Sequence, residues 1–170
     1  AIARDSIIIG LGGGVVGDFA GFCGSIYMRG LNFVQIRTTL LAQVDSSVGG
    51  KVGINLKEGK NLVGSFYNPL FVLSDIETLK TLKPREFIAG LSEIIKYGLI
   101  FDKNLFDKLD NFFSRGVSNK DEKLEPEKVK ELLLSDEKFL NEIITKSVKI
   151  KGDIVKVDER EKDLRMILNF

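Results

Sequence analysis

Histidine is absent from this sequence of 170 residues, which also has no Trp, three Pro and one Cys. Histidine is the commonest general acid or base near neutral pH and the commonest metal ligand. Its absence excludes a Ser-His-Asp triad and any zinc site that takes its histidines from this chain alone. Proton chemistry is left to carboxylates, lysine, tyrosine and bound phosphate.

Several other features of the composition exclude whole classes of protein. The single Cys23 cannot form an internal disulfide, so we expect a reducing, cytoplasmic setting. No apolar run approaches the roughly 18 residues of a membrane span. The 25 Lys+Arg and 24 Asp+Glu residues are interspersed, which disfavours nucleic acids and membrane surfaces as partners. Because residue 1 is Ala and the last residues follow an uninterrupted helical pattern, we expect a fragment of a longer protein.

The first half of the chain alternates strand and helix patterns. Residues 6–9 form a β-branched run that predicts a buried strand ending in glycines. Residues 15–28 fit a tightly packed helix, and Thr38 and Thr39 can cap a second helix. Further strands are predicted at residues 33–36 and, after a long polar loop, at residues 71–73. Strands that alternate with helices indicate a parallel sheet with helices on its faces.

Helical spacing takes over after residue 82. Pro84 is placed to begin a helix with Glu86 in its first turn, and the apolar stripe that follows consists of Phe87, Leu91, Ile94, Ile95 and Leu99. Similar stripes recur over residues 105–113 and 139–150, and the charged residues 118–127 predict an exposed connection. We therefore expect two incomplete domains, an α/β portion over residues 1–82 and a helical domain over residues 83–170.

A glycine-rich turn joins the first predicted strand to the first helix. Gly12, Gly14 and Gly17 satisfy the pattern G-x-G-x-x-G, in which backbone N–H groups and a helix N-terminus can hold a pyrophosphate. The same glycines would also let strand and helix pack closely without any ligand. Residues 35–38 lack the carboxylate that commonly binds a ribose. A nucleotide would therefore be held differently, or its adenosine would be bound by residues upstream of residue 1.

Asp18 follows this turn and is expected in the first turn of the helix, where the helix dipole stabilises a carboxylate. Two interpretations stay open. The carboxylate either caps the helix or contacts the nicotinamide or ribose of a bound nucleotide.

The densest polar segment spans residues 45–61. Two glycines directly precede Lys51, and Gly59 directly precedes Lys60. Glycine at such positions allows close approach of the backbone to a ligand, with the two lysines as charges for phosphate or carboxylate groups. The lysine is followed by Val52, so this is not a Walker motif.

The helix predicted from Pro84 places Glu86, Glu93 and Lys96 close to one face. An exposed ion pair would explain Glu93 and Lys96. Because apolar residues are interleaved with them, they could instead lie at the edge of the core, as a divalent-metal ligand and an anion-binding cation. One carboxylate is not a metal site, so further ligands would lie beyond Phe170.

Taken together, these motifs resemble those of the 3-dehydroquinate synthase family. The segments that carry the resemblance are GGGVVGD at 12–18, YMRG at 27–30, TTLLAQVDSSVGGK at 38–51, GKN at 59–61, TLKTL at 78–82, GLSEIIKYG at 90–98 and DERE at 158–161. They follow the family's order and spacing, which is far more specific than any one of them.

The resemblance implies a Rossmann-like NAD-binding portion followed by a helical metal- and substrate-binding domain. It also implies a lyase that uses NAD and zinc or cobalt to convert the keto-sugar acid phosphate DAHP into 3-dehydroquinate and phosphate in the shikimate pathway. In the family the cofactor oxidises C5 transiently, phosphate leaves, C5 is reduced again and the ring closes by an aldol step. Substrate phosphate can remove the proton, which agrees with a chain that lacks histidine.

The resemblance also assigns roles to individual positions. The NAD contacts would be Gly14, Val15, Val16, Gly17, Asp18, Thr38, Thr39, Lys51, Lys60, Thr78, Leu79, Lys80 and Thr81. The substrate would be held by Asp45, Lys51, Asn61, Lys96, Lys151, Arg165 and Asn169. Arg29 would reach the phosphate in the neighbouring subunit of a homodimer, and Glu93 would be one of three metal ligands.

The sequence also departs from the family pattern. It ends before the expected Gly-His-Thr-x-Gly-His stretch and a further histidine ligand, and it lacks the N-terminal residues that hold the adenosine ribose. The resemblance thus covers about half of a family member, and we expect this fragment alone to be inactive. Arg37 and Asp163 stand where Pro and Gly are expected.

Three alternatives remain open. Another sugar-phosphate cyclase, such as 2-deoxy-scyllo-inosose synthase, would share the fold, NAD and metal. A polyol dehydrogenase of the glycerol dehydrogenase type would reveal itself by net hydride transfer to NAD. A non-catalytic binding module would use the glycine turn for packing and would show no nucleotide affinity.

Overall fold

A computed structural model describes residues 2–116, 124–158 and 164–169 of the chain. Strand β1, Ile7–Gly12, leads through the glycine turn into helix α1, Gly14–Ile26, and the chain returns in strand β2, Asn32–Arg37. The predicted strand–helix–strand order of this region is confirmed. The two strands are parallel, with Gly12 opposite Arg37.

The segment predicted as a long polar loop instead contains a β-hairpin. Strands β3, Lys51–Leu56, and β4, Gly59–Phe66, pair in antiparallel fashion. The loop prediction was wrong because glycines interrupt the apolar alternation on both strands. The hairpin packs on α1, where a Cβ at Gly21 would lie 2.4 Å from Cγ1 of the buried Val52.

The third strand of the parallel sheet is β5, Val72–Ser74, which lies beside β2 in the order β1-β2-β5. Arg37 is paired with both Gly12 and Ser74. The carboxyl ends of all three strands therefore meet at one edge, where open α/β sheets usually bind ligands.

Strand β1 was predicted to be buried, but one of its two faces is exposed. Ile7, Ile9 and Leu11 are 54%, 62% and 62% exposed. Helix α1 packs on the opposite face, where a Cβ at Gly10 would lie 3.0 Å from the side chain of Ala20. Within the described residues the outer face of β1 is open to solvent. The burial predicted from the apolar run was therefore wrong for this face.

Helices make up the rest of the described chain, in agreement with the sequence. They are α2, Pro84–Ile100; α3, Lys103–Gly116; α4, Pro126–Ser135; and α5, Glu137–Val157, with a 3-10 helix at Leu164–Asn169. Helix α4 was not predicted and begins inside the stretch expected to be a connection, most of which lies outside the described residues. None of the described helices is long and apolar enough to cross a membrane.

One core joins the segment after β2 to the helices. Leu40 and Val44, which follow β2, are fully buried in the same cluster as Phe87 and Ile94 of α2. Gly90 makes this contact close, because a Cβ there would lie 2.5 Å from the backbone nitrogen of Leu41. The segment after β2 is thus held between the α/β portion and the helices, and the polar residues that it carries face both.

Candidate functional site

The glycine turn lies against the segment that follows β2. A Cβ at Gly13 would lie 3.0 Å from Cγ2 of Thr39, and one at Gly14 would lie 3.2 Å from Oγ of Ser46. Helix α1 begins at Gly14 with no acidic side chain in its first turn. Its N-terminal N–H groups therefore lie at the carboxyl edge of the sheet, in a position suited to an anion.

The prediction that Asp18 lies in the first helical turn was wrong. Helix α1 begins at Gly14 and places this carboxyl group in the second turn. Burial raises the pKa of Asp18 to about 6, and the nearby positive charge of Arg37 opposes this only in part. One carboxyl oxygen, Oδ1, is buried without a hydrogen-bond partner. Asp18 is therefore a desolvated acid and not a helix cap.

A cavity of about 470 Å³ between α1 and the hairpin brings three predicted site residues together. Asp18, Lys51 and Asn61 all line it. Asn61 has a positive φ of 55°, and its backbone N–H donates to Oδ1 of Asn55 at 3.0 Å. Strained positions of this kind are enriched at ligand sites. The hairpin thus supplies a cation and an amide opposite the Asp18 carboxyl group.

A second cluster is centred on Asp45, which lies in a π-helical turn, Ala42–Ser46, a form enriched at functional sites. The Tyr97 hydroxyl donates to Oδ1 of Asp45 at 2.7 Å, and the Lys151 ammonium contacts the same oxygen. Burial alone would raise the pKa of Asp45, but Lys151, Tyr97 and the more distant Lys96 together hold the pKa below its usual value.

Lys96 and Glu93 form a third group, on α2. Lys96 Nζ lies 2.5 Å from Oε2 of Glu93 and donates to the backbone oxygen of Leu168 at 2.7 Å. Oε2 of Glu93 is buried, and its partner among the described residues is the Lys96 ammonium. The predicted ion pair is therefore partly buried, and it connects α2 to the 3-10 helix Leu164–Asn169.

Glu93 is a partly buried carboxylate, a group that can serve as a metal ligand, but its Oε2 already faces the Lys96 ammonium at 2.5 Å. Among the described residues, however, no three His, Cys, Asp or Glu side chains are close enough to hold a metal ion. The described residues therefore do not form a metal centre by themselves.

Sequence reasoning missed two residues that organise the site. Tyr97 is fully buried beside Asp45. Nε2 of Gln43 lies 3.2 Å from the oxygen of Arg37 and 3.0 Å from that of Asp75. Gln43 thereby joins β2 to the 3-10 helix Ile76–Thr81, which carries the predicted NAD contacts Thr78, Leu79, Lys80 and Thr81. Its only signal in the sequence was a polar residue in an apolar run.

Other predicted residues lie apart from these clusters. Lys60 is exposed on the hairpin, and Arg29 is exposed in the turn Tyr27–Arg29 at the end of α1 remote from the glycines. Thirteen residues of helix separate the two ends of α1, or about 20 Å. The side chains of Arg165 and Asn169 lie outside the described part of the chain.

Gly17→Ala is expected to destabilise the protein. A Cβ at Gly17 would lie 1.8 Å from Nη1 of the fully buried Arg37, so this side chain would have to move. We expect a loss of about 1–3 kcal/mol in the free energy of unfolding, measured by thermal denaturation. Gly152→Ala is the control, because nothing lies within 4 Å of the added Cβ. If Arg37→Ala does not reduce the cost of Gly17→Ala, this explanation is wrong.

Asp18→Asn is expected to change how stability depends on pH. The pKa of Asp18 is raised from 3.8 to about 6, so the folded state binds a proton that the unfolded state has lost. Asp18 therefore lowers stability as pH rises through this interval. The substitution should raise the melting temperature more at neutral pH than near pH 4, where the gain should vanish. Exposed Asp110→Asn should show no such trend, and a uniform shift for Asp18→Asn would contradict the prediction.

The fold and the site belong to a class of α/β proteins in which a Rossmann-like parallel sheet with a glycine turn is joined through one polar segment to a helical domain. Comparisons with known proteins agree with this class. The family model described as 3-dehydroquinate synthase N-terminal matches residues 1–89, and the one described as 3-dehydroquinate synthase C-terminal matches residues 90–170. The chain therefore belongs to the 3-dehydroquinate synthase family.

Relatives and solved structures support the same assignment. The chain is 52% identical over 169 residues to 3-dehydroquinate synthase from Thermoanaerobacter sp. (strain X514), covering 99% of this chain and 43% of that protein. A 2-epi-5-epi-valiolone synthase from Streptomyces hygroscopicus, solved with NAD+ and Zn²⁺, is 28% identical, with a TM-score of 0.82 and coverage of 99% and 43%.

A further solved structure is 2-deoxy-scyllo-inosose synthase complexed with carbaglucose-6-phosphate, NAD+ and Co²⁺. It is 27% identical with a TM-score of 0.74, and the match covers 99% of this chain and 42% of that one. The chain thus spans less than half the length of the proteins it matches.

Proposed function

We propose that this chain is part of a 3-dehydroquinate synthase, a lyase that converts DAHP into 3-dehydroquinate and phosphate. The observation that carries the proposal is the match of both family models, in sequence order, over residues 1–89 and 90–170. The higher identity to a 3-dehydroquinate synthase, 52%, than to a solved valiolone synthase, 28%, supports this choice among sugar-phosphate cyclases.

The α/β portion, residues 1–82, is proposed to bind NAD. Its glycine turn presents the start of α1 at the carboxyl edge of the sheet, and Thr39 packs against this turn. The proposed contacts in the turn are Gly14, Val15, Val16, Gly17 and Asp18. Bound NAD would supply reversible hydride transfer. A solved relative in the same fold contains NAD+.

The helical domain, residues 83–170, is proposed to complete the substrate site. Asp45 and its partner Lys151 join the two portions, with Lys96 nearby. Lysine ammonium groups suit the phosphate and carboxylate of the substrate, and carboxylate and amide groups such as Asn61 suit its hydroxyls. Because Lys151 already contacts Asp45, the cation is held in place before an anion arrives.

Glu93 is proposed to be one ligand of a zinc or cobalt ion, with its other ligands outside the described residues. Such a metal would supply Lewis-acid polarisation of substrate oxygens. The ion pair with Lys96 would keep the Glu93 side chain in place, and a metal ion would share Oε2 with the ammonium or displace the ammonium from it.

A cytoplasmic homodimer is proposed as the working form. Arg29 has a positive φ of 69° and its side chain is exposed, at the end of α1 remote from the glycine turn. A non-glycine residue held in this conformation is a candidate for function. Its position suits contact with the substrate phosphate of a neighbouring subunit.

The test is phosphate release from DAHP by the complete polypeptide that contains this chain. NAD is supplied in catalytic amount, with zinc or cobalt. We expect metal-dependent phosphate release without net accumulation of NADH. Accumulation of NADH on a polyol, with no phosphate released from DAHP, would place the protein among the dehydrogenases. Absence of any nucleotide affinity would instead indicate a binding module.

A further inference from the structure

Arg37 is a buried cation directly behind the glycine turn. It is the last residue of β2, and its side chain is fully buried. Nη1 donates to the backbone oxygen of Gly13 at 3.2 Å, and Nη2 donates to Oε1 of Gln35. The guanidinium also lies against Gly17, where a Cβ would be 1.8 Å from Nη1.

Among the described residues, no carboxylate forms a hydrogen bond with Arg37. Its two hydrogen-bond acceptors are neutral oxygens, and Nε is buried without a partner. Asp18 is the nearby acid, but its Oδ1 is also buried without a hydrogen bond. Burying an arginine beside neutral acceptors costs free energy, which a nearby anionic ligand would offset.

The contact with Gly13 connects Arg37 to the ligand side of the turn. The Gly13 oxygen also accepts the first helical hydrogen bond, from the Gly17 N–H at 3.1 Å. In a trans peptide the N–H points opposite to the carbonyl oxygen, so the Gly14 N–H points out of the helix N-terminus. Arg37 therefore holds the peptide whose N–H faces an incoming anion, and it adds to the helix dipole a positive charge that the nearby Asp18 carboxyl group offsets in part.

We propose that Arg37 is a positioning residue for anion binding at the glycine turn, acting on the pyrophosphate of a dinucleotide through a buried charge that is held behind the Gly13–Gly14 peptide. The inference rests on the proposed dinucleotide site. Arg37 does not contact the ligand directly, because its fully buried guanidinium has no exposed hydrogen-bond donor.

A purely structural role would make a different prediction. If Arg37 only filled the space under Gly17 and joined Gln35 to Gly13, every replacement would lower stability and affinity together. If its charge acts on the anion, Arg37→Lys should keep affinity while Arg37→Met should not. Lysine has no planar fork to reach both acceptors, so both variants should lose stability. Burial lowers the pKa of Arg37 to about 10, and a similar lowering would leave lysine cationic at neutral pH.

The experiment compares wild type, Arg37→Lys and Arg37→Met in the complete polypeptide. Calorimetric titrations with NAD+ and with inorganic pyrophosphate give the dissociation constants, and thermal denaturation gives stability. Exposed Arg85→Met is the control for loss of an arginine charge elsewhere. We expect Arg37→Met to weaken binding of both ligands about tenfold, with Arg37→Lys and Arg85→Met close to wild type.

Each outcome decides the matter. Lower melting temperatures for both Arg37 variants, with weaker binding for Arg37→Met alone, support the proposal. Equal weakening by both variants would make Arg37 structural, and unchanged binding in both would overturn the proposal while leaving the dinucleotide site intact. If wild type binds neither NAD+ nor pyrophosphate, the proposed dinucleotide site fails, and the role of Arg37 fails with it.

Discussion

Asp45→Asn is expected to reduce phosphate release from DAHP by at least about a hundredfold and to lower stability. Oδ1 of Asp45 accepts from Tyr97 and contacts Lys151, whose side chain is only 9% exposed. The variant would remove the carboxylate charge that faces the buried Lys151 ammonium, and breaking a buried ion pair costs about 3–5 kcal/mol. Steady-state kinetics and thermal denaturation of the complete polypeptide measure both effects.

The pH dependence of this loss follows from the lowered pKa of Asp45. A carboxyl group whose folded pKa is depressed contributes stability above its unfolded pKa, and that stability is lost as pH falls through the folded value. The melting-temperature gap between wild type and Asp45→Asn should therefore be largest at neutral pH and close in acid, below the unfolded pKa of 3.8.

Asp107→Asn is the matched control for Asp45→Asn. Asp107 pairs with Lys103 at 2.6 Å, but that lysine is 86% exposed. Exposed pairs contribute about 0–1 kcal/mol, so this variant should retain activity and stability. Normal turnover by Asp45→Asn would show that the cluster around Asp45 is not part of the substrate site.

Glu93→Gln is expected to abolish metal-dependent phosphate release while the fold stays intact. Glutamine has the same shape but lacks the charge with which a carboxylate binds a divalent cation. Lys96 would lose its ion pair but keep the Leu168 oxygen, 2.7 Å away. Because this pair is partly buried, with side chains 16% and 24% exposed, the melting temperature of the metal-free protein should fall while the protein remains folded. Metal content after dialysis and the rate of phosphate release are the two measurements.

Glu86→Gln is the control for this prediction, since Glu86 is an exposed acid on the same helix. It should retain both metal and activity. If Glu93→Gln retains its metal and its full rate, Glu93 is not a ligand, and the pair with Lys96 has only a structural role.

Elements with a sustained apolar period were predictable from the sequence. The stripe through Phe87, Leu91 and Ile94 predicted α2, and the β-branched runs predicted β1 and β2. Helix α4 was missed because its four apolar residues, Val129 and Leu132 to Leu134, span fewer than two turns and follow a charged stretch. The hairpin was missed because glycines break the alternation that would have marked its strands.

The site was less predictable, because distances between elements decide it. The resemblance selected Asp45, Lys96 and Lys151, but not the contact between Asp45 and Lys151 across 106 residues of sequence. Tyr97 on an apolar stripe could not be distinguished from an ordinary core aromatic. The raised pKa of Asp18 depends on where α1 begins and on the position of Arg37, and no local pattern carries that information.

The central claim is that this chain belongs to an enzyme that oxidises and then re-reduces one substrate within a single turnover. The most direct measurement is a rapid-mixing experiment in which the complete polypeptide, loaded with NAD and metal, meets DAHP while nicotinamide absorbance and phosphate release are followed together. We expect NADH absorbance to rise and return to baseline, with one phosphate released per turnover. A rise that persists, or phosphate release that does not require NAD, would contradict it.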